Sequence, residues 1–239
     1  MDPDAVPPVS YKRHRFPAEV ISYCVWLYHR FGVSLRDVQE LMAERGVAVT
    51  YGTVHQGRRT LGPVFAAGLR RRRPMPGDTW HVDEVQLKIN GRRHWLWRAV
   101  DQDGLVLDIV VQARRNQEAA EAFLRRVLRG CGRAPRVIVT DKLASSPPVI
   151  RRVLPGTEHR RHKRLNNRAE NSHRPTRRRE RAMQRFKSPE RAQHFLACFE
   201  AIRGHFCPRR HLLSAATYRE VLATRFQTWQ QVTGLAASA

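Results

Sequence analysis

The chain has 239 residues, with 44 Lys and Arg against 21 Asp and Glu, and a formal net charge of +23. A hydrophobic content of 41% supplies a core and excludes a disordered basic tail, while the charge excess favours a polyanionic partner, most simply nucleic acid. No apolar run approaches a membrane span and MDPDAVPPVS lacks an apolar signal region, so the expectation is a cytoplasmic, nucleoid-associated protein without a membrane partner.

Residues 1–16 are rich in Pro and end in YKRHR, which reads as a flexible arm. Pro17 suits a first helical turn, and Ile21, Cys24, Val25, Tyr28 and Phe31 follow helical spacing, predicting a helix over 17–31 closed by Gly32. Ser34 and Asp37 form a capping-box pair opening a second helix, with Leu35, Val38, Leu41 and Met42 inward and Gly46 at its end. A third segment over 51–62 completes a unit, 17–68, that reads as a helix-turn-helix DNA-binding domain. Tyr51, Thr53, His55, Gln56, Arg58 and Arg59 are then the residues facing DNA; a generic three-helix cap is the competing reading. Gly52 and Gly57 predict that this helix is short or is ordered only on DNA, since each costs about 1 kcal/mol against Ala in a helix interior. LRRRRPMPGD, 69–78, is a basic linker.

TWHVDEVQLKI (79–89), RRHWLWRAV (92–100) and LVLDIVVQ (105–112) read as strands, and Asn90-Gly91 marks a hairpin, so an antiparallel meander is expected. A helix over 116–129 follows, then RVIVT (136–140), a buried strand ending at Asp141. Residues 142–158, with Pro147, Pro148 and Pro155, are expected to be mostly loop with one helical turn. A helix beginning near Asn166 or Asn167 carries Glu170, and Pro175 should kink it. Ser188 and Pro189 open a helix with the stripe Ala192, Phe195, Leu196, Phe199, Ile202 and Phe206, and a last helix covers 214–233. The segment 188–239 is expected to pack on the α/β domain of 79–187. Cys24, Cys131, Cys198 and Cys207 form no CxxC pair; Cys198 lies on the apolar stripe and reads as core rather than as a zinc ligand with His205 and His211.

HRRHKRLNNRAENSHRPTRRRER, 159–181, holds one acid, Glu170, before Glu180. Phosphodiester chemistry needs a deprotonated attacking oxygen, a stabilised leaving oxygen and relief of charge at phosphorus; two magnesium ions held by carboxylates do all three. Asp83 lies mid-strand and Asp141 at a strand end, and neighbouring strands would bring them to one ion with Glu170 approaching from its helix. Glu170, Arg174 and Arg177 fall at i, i+4 and i+7, so the acid would hold metal while these arginines, with Lys142, Asn167, His173 and Arg178, meet DNA. The plainer readings stay open. An Asp at a strand end is usually a turn residue, and Glu170 with Arg174 is usually an exposed ion pair worth under about 1 kcal/mol. Glu84 rivals Asp83, because alternation points the two to opposite faces and both faces look apolar. Asp108 is a further rival; Asp101 and Asp103 read as turn residues.

GDTWHVDEVQLKINGRRHWLWRAVDQDG, VIVTDKL and HKRLNNRAENSHRPTRRRERAMQRFKS resemble the bacterial insertion-sequence transposases of the family numbered six, over nearly the whole chain. The resemblance implies an RNase H-like α/β domain, three antiparallel strands and then parallel strands with helices, preceded by an all-α helix-turn-helix domain. It implies an Asp-Asp-Glu metal triad at Asp83 of WHVDE, Asp141 of VTDK and Glu170 of RAEN, with Arg177 as the basic residue seven positions on. The implied cofactor is a pair of magnesium ions, with manganese as a substitute. By the same resemblance the N-terminal helices bind terminal inverted repeats, the catalytic domain cuts and joins 3′ ends in double-stranded DNA, and a homodimer or higher oligomer holds two ends. Gly57 stands where the family's third helix carries Trp, and Ser145-Ser146 replaces its Ser-Tyr pair. The competing functions are a non-catalytic helix-turn-helix regulator, a degenerate inactive copy, and an RNase H-type nuclease.

Overall fold

The structure, a computed structural model, describes residues 9–141, 146–161 and 166–235; the side chains of residues 146, 167, 168 and 170 lie outside the description. The chain divides into two compact units, Met1–Arg73 with Ala197–Ala239, and Pro74–Leu196.

In the first unit α1 (Ala18–Phe31) ends at Gly32 in the left-handed region. α2 (Leu35–Glu44) opens on the predicted capping box: Ser34 Oγ accepts the Asp37 N–H at 3.0 Å, and Asp37 Oδ2 accepts the Ser34 N–H at 2.8 Å. α3 (Tyr51–Thr60) is capped by Thr50 and packs on α1. Gly57 is what allows that approach, since a Cβ there would stand 3.0 Å from Ile21 Cγ2. The third helix covers nearly all of the expected 51–62 segment with both glycines inside it, and a fourth, α4 (Gly62–Arg71), restarts with Pro63 in its first turn. α4 extends into the stretch read as linker, because Phe65, Ala66 and Leu69 are buried and hold its last turns to the core.

In the second unit β1 (Thr79–Ile89) and β2 (Arg92–Asp101) form a hairpin turned by Asn90 (φ 47°) and Gly91 (φ 78°), the left-handed pair such a two-residue turn requires. β3 (Val106–Gln112) completes the antiparallel meander. α5 (Gln117–Cys131), capped by Asn116, returns the chain to β4 (Val137–Thr140), which lies parallel to β1. α6 (Ser146–Val153) then leads to β5 (Glu158–Arg161), parallel to β4. The sheet order is β3-β2-β1-β4-β5, a mixed sheet that fits an RNase H-like fold. One face is closed by α5 and α6, with Trp80, Val82, Trp97 and Ala99 packed among Phe123, Leu124, Val127, Val149 and Ile150. Burying each large side chain contributes roughly 1.5–3 kcal/mol.

Most of α6 lies where the sequence reading expects loop, and β5 begins at the last residue of that stretch and runs on where no element is expected. EHRR has no apolar residue, so β5 shows no burial pattern; its pairing is made by backbone, and its charged side chains suit an exposed edge. Beyond it come α7 (Asn167–Ser172) and α8 (Arg174–Ala182), two helices in place of one kinked helix. Pro175 has no N–H to donate and sits in the first turn of α8, where none is needed, so the chain turns at His173 and restarts.

α9 (Pro189–His205) begins in the second unit, where Gln193 accepts the Val111 N–H at 2.7 Å and donates to the Ile109 carbonyl at 3.0 Å, satisfying the edge of β3. From Ala197 onward the chain belongs to the first unit. There α10 (Ala215–Thr233), capped by Ser214, packs with α9 and the N-terminal helices: Ile202, Phe206, Trp229 and Val232 share one cluster with Ile21, Val25, Phe65 and Leu69. This differs from the expected packing of 188–239 on the α/β domain, because an apolar stripe records that a face is buried and not against which partner. Cys24, Cys131 and Cys198 are buried, and burial pushes the Cys198 thiol up to about 11, in keeping with a core role. Among the described residues no helix is long and apolar enough to cross a membrane.

Candidate active site

β1 and β4 pair in parallel from Thr79 with Val137 to Val82 with Thr140. The next residue of each strand is Asp83 and Asp141, so two acids 58 positions apart leave neighbouring strands at the same level. Asp83 is 8% exposed, and its Oδ2 lies 3.4 Å from Nε2 of the buried His173. Asp141 is more open, as a residue just past the strand end should be.

Two buried polar side chains hold α7 over this point. Asn166 is fully buried and donates through Nδ2 to the Val82 carbonyl at 3.0 Å, one residue before Asp83. Arg98, the register partner of Asp83 on β2, is 1% exposed. It donates to the Ser172 carbonyl at 2.7 Å and to Thr176 Oγ1 at 2.5 Å, tying the end of α7 and the start of α8 to the sheet. A short helix is thus gripped at both ends, and its backbone carries Glu170. The side chains of Glu170 and Asn167, and Lys142 altogether, lie outside the described residues. Sequence reasoning missed Arg98; the available signal was an arginine between Trp97 and Ala99 in an otherwise buried strand.

Glu84 follows Asp83 on β1, and strand alternation points it to the other face. Arg115 Nε donates to Glu84 Oε1 at 2.6 Å, while the same guanidinium stands 3.8 Å from Asp141 Oδ2 and 4.8 Å over the Trp95 ring. Burial pushes the Glu84 carboxyl up to about 7, against the opposing pull of Arg115, and the charges of Asp141 and Asp83 push the same way. Asp83 and Asp141 thus stand near enough to Glu84 to disfavour its charge. Carboxylate oxygens such as those of Asp83 and Asp141 are the hard donors that a divalent cation such as magnesium takes. Among the described side chains no three of His, Cys, Asp or Glu converge on a common ion position. The other acids have structural employment: Asp101 accepts the Asp103, Leu105 and Gly77 N–H groups, and Asp108 pairs with Arg126 at 2.6 Å.

Of the basic residues read as DNA contacts near the site, Arg174 and Arg178 are exposed and Arg177 is half-buried, 3.5 Å from Glu180. His173 faces Asp83 from the interior rather than solvent, a departure from its expected place on a phosphate. On α3, Tyr51 stacks on His55 with ring centroids 6.1 Å apart, and Arg59 is exposed. Thr53 bonds to the Thr50 cap, and the Arg58 guanidinium lies 5.3 Å over the Tyr28 ring, so both are partly committed within the unit.

The family model DDE_Tnp_IS240, a DDE domain, matches residues 77–208. The transposase for insertion sequence-like element IS431mec of Staphylococcus aureus is 31% identical over 172 residues, covering 70% of this chain and 76% of that protein. The transposase for insertion sequence element IS257 in transposon Tn4003, also of Staphylococcus aureus, is 30% identical over 172 residues with the same coverage, 70% and 76%. Among solved structures, the HTLV-2 integrase catalytic core domain in complex with magnesium aligns with a TM-score of 0.39 and 17% identity, over 64% of this chain and 97% of that one.

Proposed function

We propose, for a chain that belongs to the DDE-domain transposases of insertion sequences and is a DNA transposase, that Asp83, Asp141 and Glu170 together hold the divalent ions of phosphodiester transfer. The observation that carries this reading is the register of β1 and β4, which brings Asp83 and Asp141 to one level. Two magnesium ions, or manganese in their place, would supply activation of the attacking oxygen and relief of charge at phosphorus. The remaining work falls to the chain. His173 fixes the orientation of the Asp83 carboxylate from the protein side. Asn166 and Arg98 set the distance of α7 from β1, and hence the position from which Glu170 acts. Arg174, Arg177 and Arg178, with Lys142 and Asn167, neutralise and place the flanking phosphates.

The finer assignment is to the family numbered six, supported by WHVDE, VTDK and NNRAEN. In that reading α1–α3 form a helix-turn-helix that binds the terminal inverted repeats through Tyr51, Thr53, His55, Arg58 and Arg59, and the exposed Tyr51 and Arg59 support it. A homodimer or larger assembly would hold the two ends, acting on the nucleoid. The test is Asp141→Asn, assayed on duplexes carrying the ends of the protein's own element. DNA binding should stay at the wild-type level while magnesium-dependent strand cleavage falls roughly a thousandfold or more. Cleavage by the variant at the wild-type rate would remove Asp141 from the site, and a wild-type protein that binds but never cleaves would favour the regulator.

A further inference from the structure

We propose that a groove between the outer half of β1 and α8 is a second DNA-binding site, a sequence-independent track for the phosphate backbone of a duplex. β1 pairs with β4 only as far as Val82, so that edge of β1 is free of β4 from Glu84 to the hairpin, and Gln86 and Lys88 are exposed. A groove of about 740 Å³ is lined there by Gln86, Lys88, Arg177, Arg181 and Arg185, with Glu180 and Gln184. Four cations face one acid, and that acid is already occupied: Glu180 is 7% exposed and 3.5 Å from Arg177. Arg177 and Arg181 are one helical turn apart and present their heads in the same direction.

The end of α8 adds an independent sign. Gln184 (φ 54°) and Arg185 (φ 74°) are consecutive residues in the left-handed region, where glycine is the usual occupant. The Arg185 N–H bonds to the Glu180 carbonyl at 2.9 Å and the Gln184 N–H to the Arg181 carbonyl at 3.0 Å, so the helix end itself is well closed. The chain thus keeps long polar side chains in a strained turn, and that turn delivers Arg185 to the groove. Guanidinium and ammonium groups, with no apolar residue among the described lining, suit phosphate oxygens and not base edges. None of Lys88, Arg181 and Arg185 belongs to the acid edge or to the residues proposed above to flank it. The inference rests on the chain's action on DNA, and its test reads binding without magnesium or cleavage, so it fails or stands separately from the metal reading.

The experiment compares the full chain with the triple variant Lys88→Gln, Arg181→Gln, Arg185→Gln, and with Lys88→Gln alone, by fluorescence anisotropy over a series of salt concentrations. All three side chains are exposed, and a thermal melt at the wild-type temperature establishes that the variant is folded. Removing one cation from a phosphate makes the slope of log K against log salt shallower by about 1, so the triple variant's slope should be shallower by about 3 and the single variant's by about 1. The change should be the same on a duplex carrying the element's end and on an unrelated duplex. An unchanged slope overturns the proposal, and a change confined to the element's end overturns its sequence independence.

Discussion

At the scale of single residues, buried neighbours set the geometry around the acids proposed to hold metal. The shared level of Asp83 and Asp141 was legible because each lies on or just after a strand-like run, and Glu170 was proposed with them because it stands alone in a basic stretch. Asn166 was not legible: NNR offers two adjacent asparagines, and only the bond to the Val82 carbonyl distinguishes the first. Asn166→Ala leaves that carbonyl without its partner, costing about 1–3 kcal/mol of stability. It also loosens α7 above Asp83. The expected outcome is a rise of roughly 10–100-fold in the magnesium concentration for half-maximal cleavage, with DNA binding unchanged. A lowered melting temperature with an unaltered magnesium dependence would make Asn166 a purely structural residue. Glu84 shows the converse case, an acid beside the site whose burial against Arg115 gives it a different employment.

At the scale of elements, periodicity and punctuation located most helices and strands, because capping residues, the Asn90-Gly91 turn and apolar alternation act locally. What escaped was set by distant parts of the chain. β5 is a charged tetrapeptide that becomes a strand through the backbone of β4, and α4 runs on because Phe65 and Leu69 find a core supplied partly by α9 and α10. The α9–α10 contact also carries a pH dependence. His205 Nε2 donates to the Arg225 carbonyl at 2.8 Å, and burial holds its pKa below the ordinary value of 6.5. With the folded pKa depressed, the unfolded chain takes up the proton first as pH falls. Stability is therefore complete above about 6.5 and is lost as pH drops through that value toward the folded pKa. Thermal melts should show the wild type weakening in this range, and His205→Gln, which keeps a donor but does not titrate, weakening less. Parallel pH profiles for the two proteins would remove His205 as the cause.

At the scale of the whole molecule, a net charge of +23 and fourteen Lys and Arg within 151–187 commit the chain to a polyanion. Affinity for DNA should consequently fall steeply with salt, by several logarithmic units per tenfold increase, and a flat response would remove this segment from the interface. Charge alone does not separate an enzyme from a regulator; membership of the DDE-domain transposases does. The metal assignment proposed for that enzyme requires three acids, from β1, the end of β4 and α7, to act as one cation site. Anomalous scattering from manganese-soaked crystals of the full chain bound to its end DNA tests this most directly. The expected result is two peaks within coordination reach of the carboxylates of Asp83, Asp141 and Glu170, both absent in Asp141→Asn. Manganese bound elsewhere, or held by one of these acids without the other two, would contradict it.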